Sequence, residues 1–290
     1  MTTLQTIAPG LGLLRADNPS PLTGTGTNTY VLGTDELTVI DPGPDLDAHL
    51  VAILSAAADR PIRQILVTHA HRDHSGLAPR LSARTGAEVM AFGTAQDGVS
   101  PRMARLPGLA AEGEGLDTAF VPDRRLVDGD RVSGPGFMLE VLHTPGHLGG
   151  HLCFALDGTL FTGDHVMGWA STIVSPPEGD MTDYIASLHR LAARPWTLGF
   201  PGHGPPIPDP VGRISDLIFH RRQREAEILH ALGDGPATPA ALTARIYHQT
   251  PRPLWPAAQR NVLAHLVDLE GRNLVQADPI LSPDARFHRV

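Results

Sequence analysis

Thr68-His69-Ala70-His71-Arg72-Asp73-His74 packs three imidazoles and a carboxylate into six consecutive positions, directly after the apolar run Ile65-Leu66-Val67. Neutral imidazole nitrogen and carboxylate oxygen both bind zinc, at distances of about 2.0–2.2 Å. Four such donors on one short loop cannot easily all serve a single tetrahedral ion, so the spacing predicts two neighbouring metals. A solvated turn that happens to be rich in histidine is the alternative, and the rest of the chain argues against it.

Three distant places complete the set. His147 lies in Leu142-His143-Thr144-Pro145-Gly146-His147, Asp164 in Leu160-Phe161-Thr162-Gly163-Asp164, and His203 in Phe200-Pro201-Gly202-His203-Gly204. Each follows a short β-prone run, at 138–142, 159–162 and 198–200, and each sits beside a glycine, where the backbone can turn sharply. Strands that end in ligand-bearing loops let an α/β scaffold aim several side chains at one point from a single edge.

The order His-x-His-x-Asp-His, then His, Asp and His, resembles the metallo-β-lactamase superfamily at all seven positions, over residues 1–208. The resemblance implies an αββα sandwich in which His69, His71 and His147 hold one metal, Asp73, His74 and His203 hold a second, and Asp164 bridges the pair. Asp73 and Asp164 are then the candidate catalytic carboxylates. Two zinc ions are the expected cofactors, with one ferrous ion as the alternative. A pair of divalent ions stabilises a bridging hydroxide, because zinc lowers the pKa of bound water from about 15.7 toward about 7. The chain shows neither a Gly-rich dinucleotide fingerprint nor a phosphate-binding loop ending in Gly-Lys, so hydrolysis is the expected chemistry.

Elsewhere in the first 208 residues, hydropathy places strands at 29–32, 37–40, 65–67, 88–91, 126–132 and 137–142, and helices at 47–59, 75–85 and 180–194. Gly86 stands where the second helix would close in a left-handed cap. Residues 93–115, rich in Gly, Pro and Ala, carry no assignable pattern. Cys153, in His151-Leu152-Cys153-Phe154-Ala155-Leu156, reads as strand core.

Pro205-Pro206-Ile207-Pro208-Asp209-Pro210 marks an expected domain boundary, with a second domain over 209–290. A long helix at 211–232 is followed by one starting at Thr238-Pro239, which supplies an N-cap and an N1 proline, then by a third at 256–270 and a strand at 274–276. This order is a winged-helix pattern; a helical cap on the catalytic domain or a homodimer contact are the alternatives. With Thr25-Gly26-Thr27-Asn28-Thr29-Tyr30 near the start, the stretches 68–76 and 143–147 and this tail together resemble the β-lactamase-like protein 2 group over nearly the whole chain. That group includes a single-strand endoribonuclease and has relatives that hydrolyse acyl-carrier-protein thioesters. The resemblance therefore implies a substrate that is either single-stranded RNA, the leading reading, or a thioester of an acyl carrier or glutathione. A persulfide dioxygenase with one iron is a further alternative, and a non-catalytic binding protein the last. Gly149-Gly150-His151 departs from the small hydroxyl residue common in the family after the third-motif histidine.

Asn28, Tyr30, Trp169 and His165 are the candidate substrate-binding residues, the tryptophan because the loop 167–181 leaves the metal edge directly. His143 is expected to hydrogen-bond within its loop, and His151, His189, His220, His230, His248, His265 and His288 are expected to be surface or helix residues. For an RNA substrate, Arg221, Arg222, Arg224, Arg245, Arg252 and Arg260 would supply phosphate contacts. Charge argues mildly the other way. Residues 1–208 hold 13 Arg against 22 acids, residues 209–290 hold 10 Arg against 9, and the formal net charge is −8. Neither segment has the basic excess of a dedicated nucleic-acid binder. A single cysteine excludes an intrachain disulfide, and the first twenty residues lack a basic start and a sustained apolar segment, so a cytoplasmic protein without a signal peptide is expected. No stretch approaches the length of a membrane helix.

Overall fold

The computed structural model describes residues 3–106 and 115–290. Seven strands form a first sheet in chain order: β1 (Gln5–Ala8), β2 (Leu11–Arg15), β3 (Asn28–Leu32), β4 (Leu37–Ile40), β5 (Ile62–Leu66), β6 (Glu88–Ala91) and β7 (Arg124–Arg125). A second sheet is built from β8 (Arg131–Gly134), β9 (Phe137–His143), β10 (Leu152–Leu156), β11 (Thr159–Gly163) and β12 (Leu198–Pro201), in the spatial order β12-β11-β10-β9-β8. Between the sheets lies one apolar layer, with Leu13, Tyr30, Leu32, Ile40, Leu66 and Met90 from the first facing Leu139, Val141, Leu152, Phe154, Phe161 and Phe200 from the second. Strand alternation explains the division. In β10, Leu152 and Phe154 enter this layer, while Cys153 and Ala155 point to the opposite face and its helices.

On the outer face of the first sheet pack α1 (Asp47–Ala57), the single turn α2 (Arg72–Ser75) and α3 (Ala78–Thr85). Leu50, Ile53 and Leu81 bury there against Val39, Ile65 and Val89. The expected helix at 75–85 is thus two pieces, and Gly86 closes the second with φ 73°. The outer face of the second sheet is covered by α4 (Met181–Ala192), N-capped by Asp180, and by the first half of α5 (Pro210–Gly233). Met181, Leu188, Ile214, Leu217 and Ile218 share one cluster with Leu142, Cys153 and Leu160. The result is the expected αββα sandwich.

The second half of α5 turns to another core. Ile228 and Leu232 pack with α6 (Pro239–Ile246), α7 (Trp255–Gly271) and a hairpin of β13 (Val275–Asp278) and β14 (Arg286–Arg289). Thr238 Oγ1 accepts from the Ala241 N–H and Pro239 opens α6, as the N-cap reading requires. Strands β1, β2 and β14 were not foreseen in the sequence; β1 and β14 are short, β1 has no fully buried residue and β14 has one, Phe287. Helix α5 belongs to both cores, and Met103 from the sandwich side inserts into the second. No helix among the described residues is long and apolar enough to cross a membrane.

Candidate metal centre

Strands β4, β5 and β6 run parallel, as do β11 and β12, and β9 is antiparallel to the β10 that separates it from β11. Hence β9, β11 and β12 all end at one edge, and His147, Asp164 and His203 leave from it. The sheets are tied together there by Asn28 N–H to Gly202 O and Leu152 N–H to Thr68 O, each 2.7 Å. Two glycines allow the approach. A Cβ on Gly202 would stand 2.6 Å from both Asp164 Oδ1 and His74 Cε1, and one on Gly163 would stand 2.6 Å from His151 Nε2, at a φ of 47°.

The donor atoms converge in overlapping groups, His69 with His71 and His147, Asp73 with His74 and His203, and His69 with His74 and Asp164, each within 4.8 Å. His71 Nδ1 lies 3.0 Å from His69 Nε2 and 3.1 Å from His147 Nε2, while His74 Nε2 lies 3.3 Å from His203 Nε2. The second ring nitrogen of four of them is committed elsewhere. His69 Nδ1 bonds Thr68 Oγ1 at 3.0 Å, His74 Nδ1 donates to Asp41 Oδ2 at 2.9 Å, His147 Nδ1 donates to the Ile173 carbonyl at 2.6 Å, and His203 Nδ1 faces the Gly26 carbonyl at 3.4 Å. For the neutral rings of His69 and His147, a proton spent outward leaves a bare lone pair inward, the arrangement found in metal-ligating histidines; His74 and His203 present the same face once their inward proton leaves. Asp164 Oδ1 is buried and accepts no hydrogen bond. An orphaned carboxylate oxygen beside inward lone pairs is a donor set that fits a divalent cation.

Charge divides the cluster. Burial, with the neighbouring imidazoles, drives His69 well below the ordinary histidine range and His71 down to about 3; burial also lowers His147. Burial pushes His74 the same way, but the carboxylates of Asp164, Asp73 and Asp41 together outweigh it and raise His74 well above 6.5. His203 is likewise raised, to about 9, by Asp164 and Asp73 against its burial. Asp73 and Asp164 are both lowered, since the attraction of His74 and His203 overcomes the cost of burial. One triad is therefore built of neutral imidazoles, and the other stands among anionic carboxylates.

The sequence matches the model of the metallo-beta-lactamase superfamily over residues 22–203. The chain belongs to this superfamily. A second model, the beta-lactamase associated winged helix domain, matches residues 238–280. The superfamily member named beta-lactamase-like protein 2 homolog from Drosophila melanogaster is 35% identical over 286 residues, covering 93% of this chain and 90% of that protein. An atrochrysone carboxyl ACP thioesterase from Aspergillus fumigatus is 30% identical, covering 84% of this chain and 76% of its own. Among solved structures, a metallo-beta-lactamase family protein from Thermus thermophilus superposes with a TM-score of 0.79 at 29% identity, over 98% of this chain and 100% of that one. The superfamily and its hydrolase-named members make this chain an enzyme, a metal-dependent hydrolase.

A cavity of about 650 Å³ opens over the cluster, with His71, Asp73, His147, Asp164 and His203 on its floor. Leu22, Trp169 and Ile173 line it from the metallo-beta-lactamase sandwich, and Tyr247, Leu254, Ala257 and Ala258 from the winged-helix domain, with Arg224 and Arg260 also on that wall. Trp169, 42% exposed, lies on the wall where its loop suggests. The other three substrate candidates do not. Asn28 is buried and donates through Nδ2 to the Pro201 and Gly204 carbonyls at 3.0 and 2.8 Å, and Tyr30 OH donates to the Pro201 carbonyl at 2.7 Å. Both brace the loop of His203 from behind, because the inward face of β3 belongs to the layer between the sheets. His165 is fully buried beside the Tyr184 ring and off the cavity.

One histidine and one arginine also differ from expectation. His151 is buried, not superficial; its Nδ1 bonds Thr144 Oγ1 and its Nε2 accepts from the Asp164 N–H at 3.2 Å, so it holds the backbone of the shared carboxylate. His265 is a helix residue, as expected, and is buried in α7. Arg221, expected to meet phosphate, is 1% exposed and bonds inward to the Thr172 carbonyl and Asn261. His143 behaves as expected, bonding the Gly149 carbonyl at 2.8 Å. Sequence reasoning missed Asp41, which accepts from His74 Nδ1, Thr68 N–H and Thr68 Oγ1. Its signal was present: Asp41 follows β4, the parallel neighbour of the His69 strand, and so ends at the same edge.

Proposed function

We propose that this chain is a dinuclear zinc hydrolase that cleaves an acyl thioester, water attacking the acyl carbon and the products being a carboxylic acid and a thiol. The observation that carries the choice of substrate is the cavity: about 650 Å³, walled by Leu22, Trp169, Ile173, Leu254 and Ala257, and roofed by the winged-helix domain. Such a space suits an acyl chain, and pockets of roughly 300–1,000 Å³ are typical of small-molecule sites. A relative named as an acyl-carrier-protein thioesterase supports the same reading. Single-stranded RNA would need a continuous basic surface along its path; of the six candidate arginines, Arg221 is withdrawn into the domain contact, and only Arg224 and Arg260 line the cavity.

His69, His71 and His147 would hold one ion and Asp73, His74 and His203 the other, with Asp164 shared. Divalent ions there would lower the pKa of bound water and polarise the acyl oxygen. The chain's own part is orientation and charge. Asp41 and the Ile173 carbonyl fix the ring faces of His74 and His147, and Asp73 with Asp164 supplies negative charge against two dications. The apolar walls would take up the acyl chain.

The test assays metal-loaded protein side by side on an acyl thioester, by thiol release, and on a single-stranded RNA oligomer. Two zinc ions per chain by elemental analysis, with thiol release and intact RNA, is the expected result. RNA cleavage without thioester turnover would transfer the assignment to a phosphodiester. One tightly bound iron with oxygen consumption on a persulfide would defeat the hydrolase assignment altogether.

A further inference from the structure

The segment between Asp164 and α4 touches the metal cluster on one side and the winged-helix domain on the other. Its inward contacts are specific. Thr172 Oγ1 donates to the Asp164 carbonyl at 2.5 Å, and the Ile173 carbonyl accepts from His147 Nδ1. Its outward contacts come from the C-terminal helices. Arg213 on α5 donates to the Met167 and Ala170 carbonyls at 2.8 Å each, Arg221 on α5 donates to the Thr172 carbonyl, and Asn261 Oδ1 on α7 accepts from the Val174 N–H at 3.0 Å. Arg221 also donates to that same Asn261 oxygen at 3.2 Å, and its guanidinium lies over the Tyr184 ring at 5.2 Å. Thr172, Val174, Arg221 and Asn261 are all buried.

The Ile173 carbonyl and the Val174 N–H belong to one peptide unit. A trans peptide is planar, and its C=O and N–H point in opposite directions. Whatever holds the N–H therefore aims the carbonyl. Asn261 holds this N–H, Arg221 pins the carbonyl of the preceding unit, and the plane between them directs its oxygen at His147. We infer that Arg221 and Asn261 are positioning residues for a metal ligand: helices α5 and α7, through the 173–174 peptide plane, set the ring orientation of His147 and with it the affinity of the three-histidine site. The inference rests on the reading of His147 as a metal ligand. In the other triad, His74 is held by Asp41 from within the sandwich.

The experiment uses the full chain, stripped with chelator and titrated with zinc against a competing chelator, and separately with cobalt, whose absorption reports ligand geometry. Partners of ligating histidines change metal affinity by about 10- to 100-fold. Acting one bond further out, Asn261→Leu should weaken the site containing His147 by about tenfold and shift its cobalt spectrum, with the other site changed by less than about twofold. Asn261→Asp keeps an acceptor for both Val174 and Arg221 and should restore affinity and spectrum, a rescue that a merely structural role would not give. Arg221→Met should act in the same direction as Asn261→Leu.

Coupling is reciprocal, so the wild type supplies a measurement needing no variant. Zinc loading should slow hydrogen exchange in α5 around residue 221 and in α7 around residue 261. Folded Asn261→Leu and Arg221→Met variants with wild-type affinity at both sites would overturn the inference. Should those variants fail to fold, unchanged exchange in α5 and α7 on zinc loading would overturn it equally. His147→Ala is the separate control: if it binds both ions as tightly as wild type, the ligand reading itself fails, and the positioning role of Arg221 and Asn261 falls with it.

Discussion

The two triads differ in what holds them. His69, His71 and His147 are three neutral imidazoles whose pKa values are lowered by burial. His74 and His203 stand among the carboxylates Asp41, Asp73 and Asp164, which raise His74, while Asp73 and Asp164 raise His203. A dication at the first triad would displace few protons near neutrality. One at the second would displace the protons that the raised histidines hold, and would meet more negative charge there. Support differs in the same way: a carboxylate inside the sandwich orients His74, whereas a backbone carbonyl on a segment held from the second domain orients His147. Similar ligands can therefore form sites with different pH dependence and different structural dependence.

The largest effect should come from the group both triads share. Asp164→Ala removes the carboxylate that reaches His74 and His203 at 3.4 and 3.3 Å. Hydrolysis should fall on the order of 10³-fold, the loss of several kcal/mol of charge stabilisation, with lowered content of both metals by elemental analysis. Loss of only one ion would show that the triads are independent.

Asp41→Ala sharpens the contrast between them. It leaves His74 Nδ1 without its acceptor and should weaken the carboxylate-bearing site by about 10- to 100-fold in chelator competition. The three-histidine site should suffer less, through Thr68 alone, which bonds both Asp41 and His69. Equal losses at both would mean that Asp41 supports the whole edge.

Trp169→Ala tests the wall rather than the floor. Trp169 lines the cavity and its ring packs beside Gly24 and Gly204. We expect KM for a thioester to rise about tenfold with metal content unchanged, since losing an apolar wall contact costs roughly 1–3 kcal/mol of binding. A lower melting temperature with unaltered KM and kcat per folded molecule would assign the tryptophan to packing.

The last effect is one of pH on the metal-free chain. His203 has a folded pKa of about 9 against an ordinary 6.5, so its contribution to stability is complete below about pH 6.5 and lost as pH rises through 9. His71, lowered to about 3, acts with the opposite sign: stability falls as pH drops below 6.5, where only the unfolded chain takes up the proton. Thermal melts of stripped protein should show a maximum near pH 6.5 and a decline toward about pH 9.5. A metal-free melting temperature that climbs steadily across that same alkaline range would contradict the assigned charge states.

The seven candidate ligands could be read from the sequence because each sits at a strand end, where side-chain type, glycine and local hydropathy coincide within a few residues. The same locality made α1, β4, β6 and the Thr238 cap legible. Asp41 carried a weaker signal of the same kind. Asn28, Tyr30 and His165 were misplaced because sequence shows that a polar residue is near a site but not which side of the strand or loop it occupies.

Arg221 marks the boundary of what a sequence determines. On a helix wheel it is one arginine among several, and its type alone predicts a solvated cation. Tertiary packing buries it, pairs it with an amide oxygen and a carbonyl, and makes it part of a path to His147. The groups that complete that path are backbone atoms of Thr172, Ile173 and Val174, and every residue has such atoms whatever its side chain. Residue identity and spacing thus determined the candidate donor set and the sandwich that presents it. Which backbone groups hold those donors, and which walls enclose the substrate, were decided only when the second domain packed against the first.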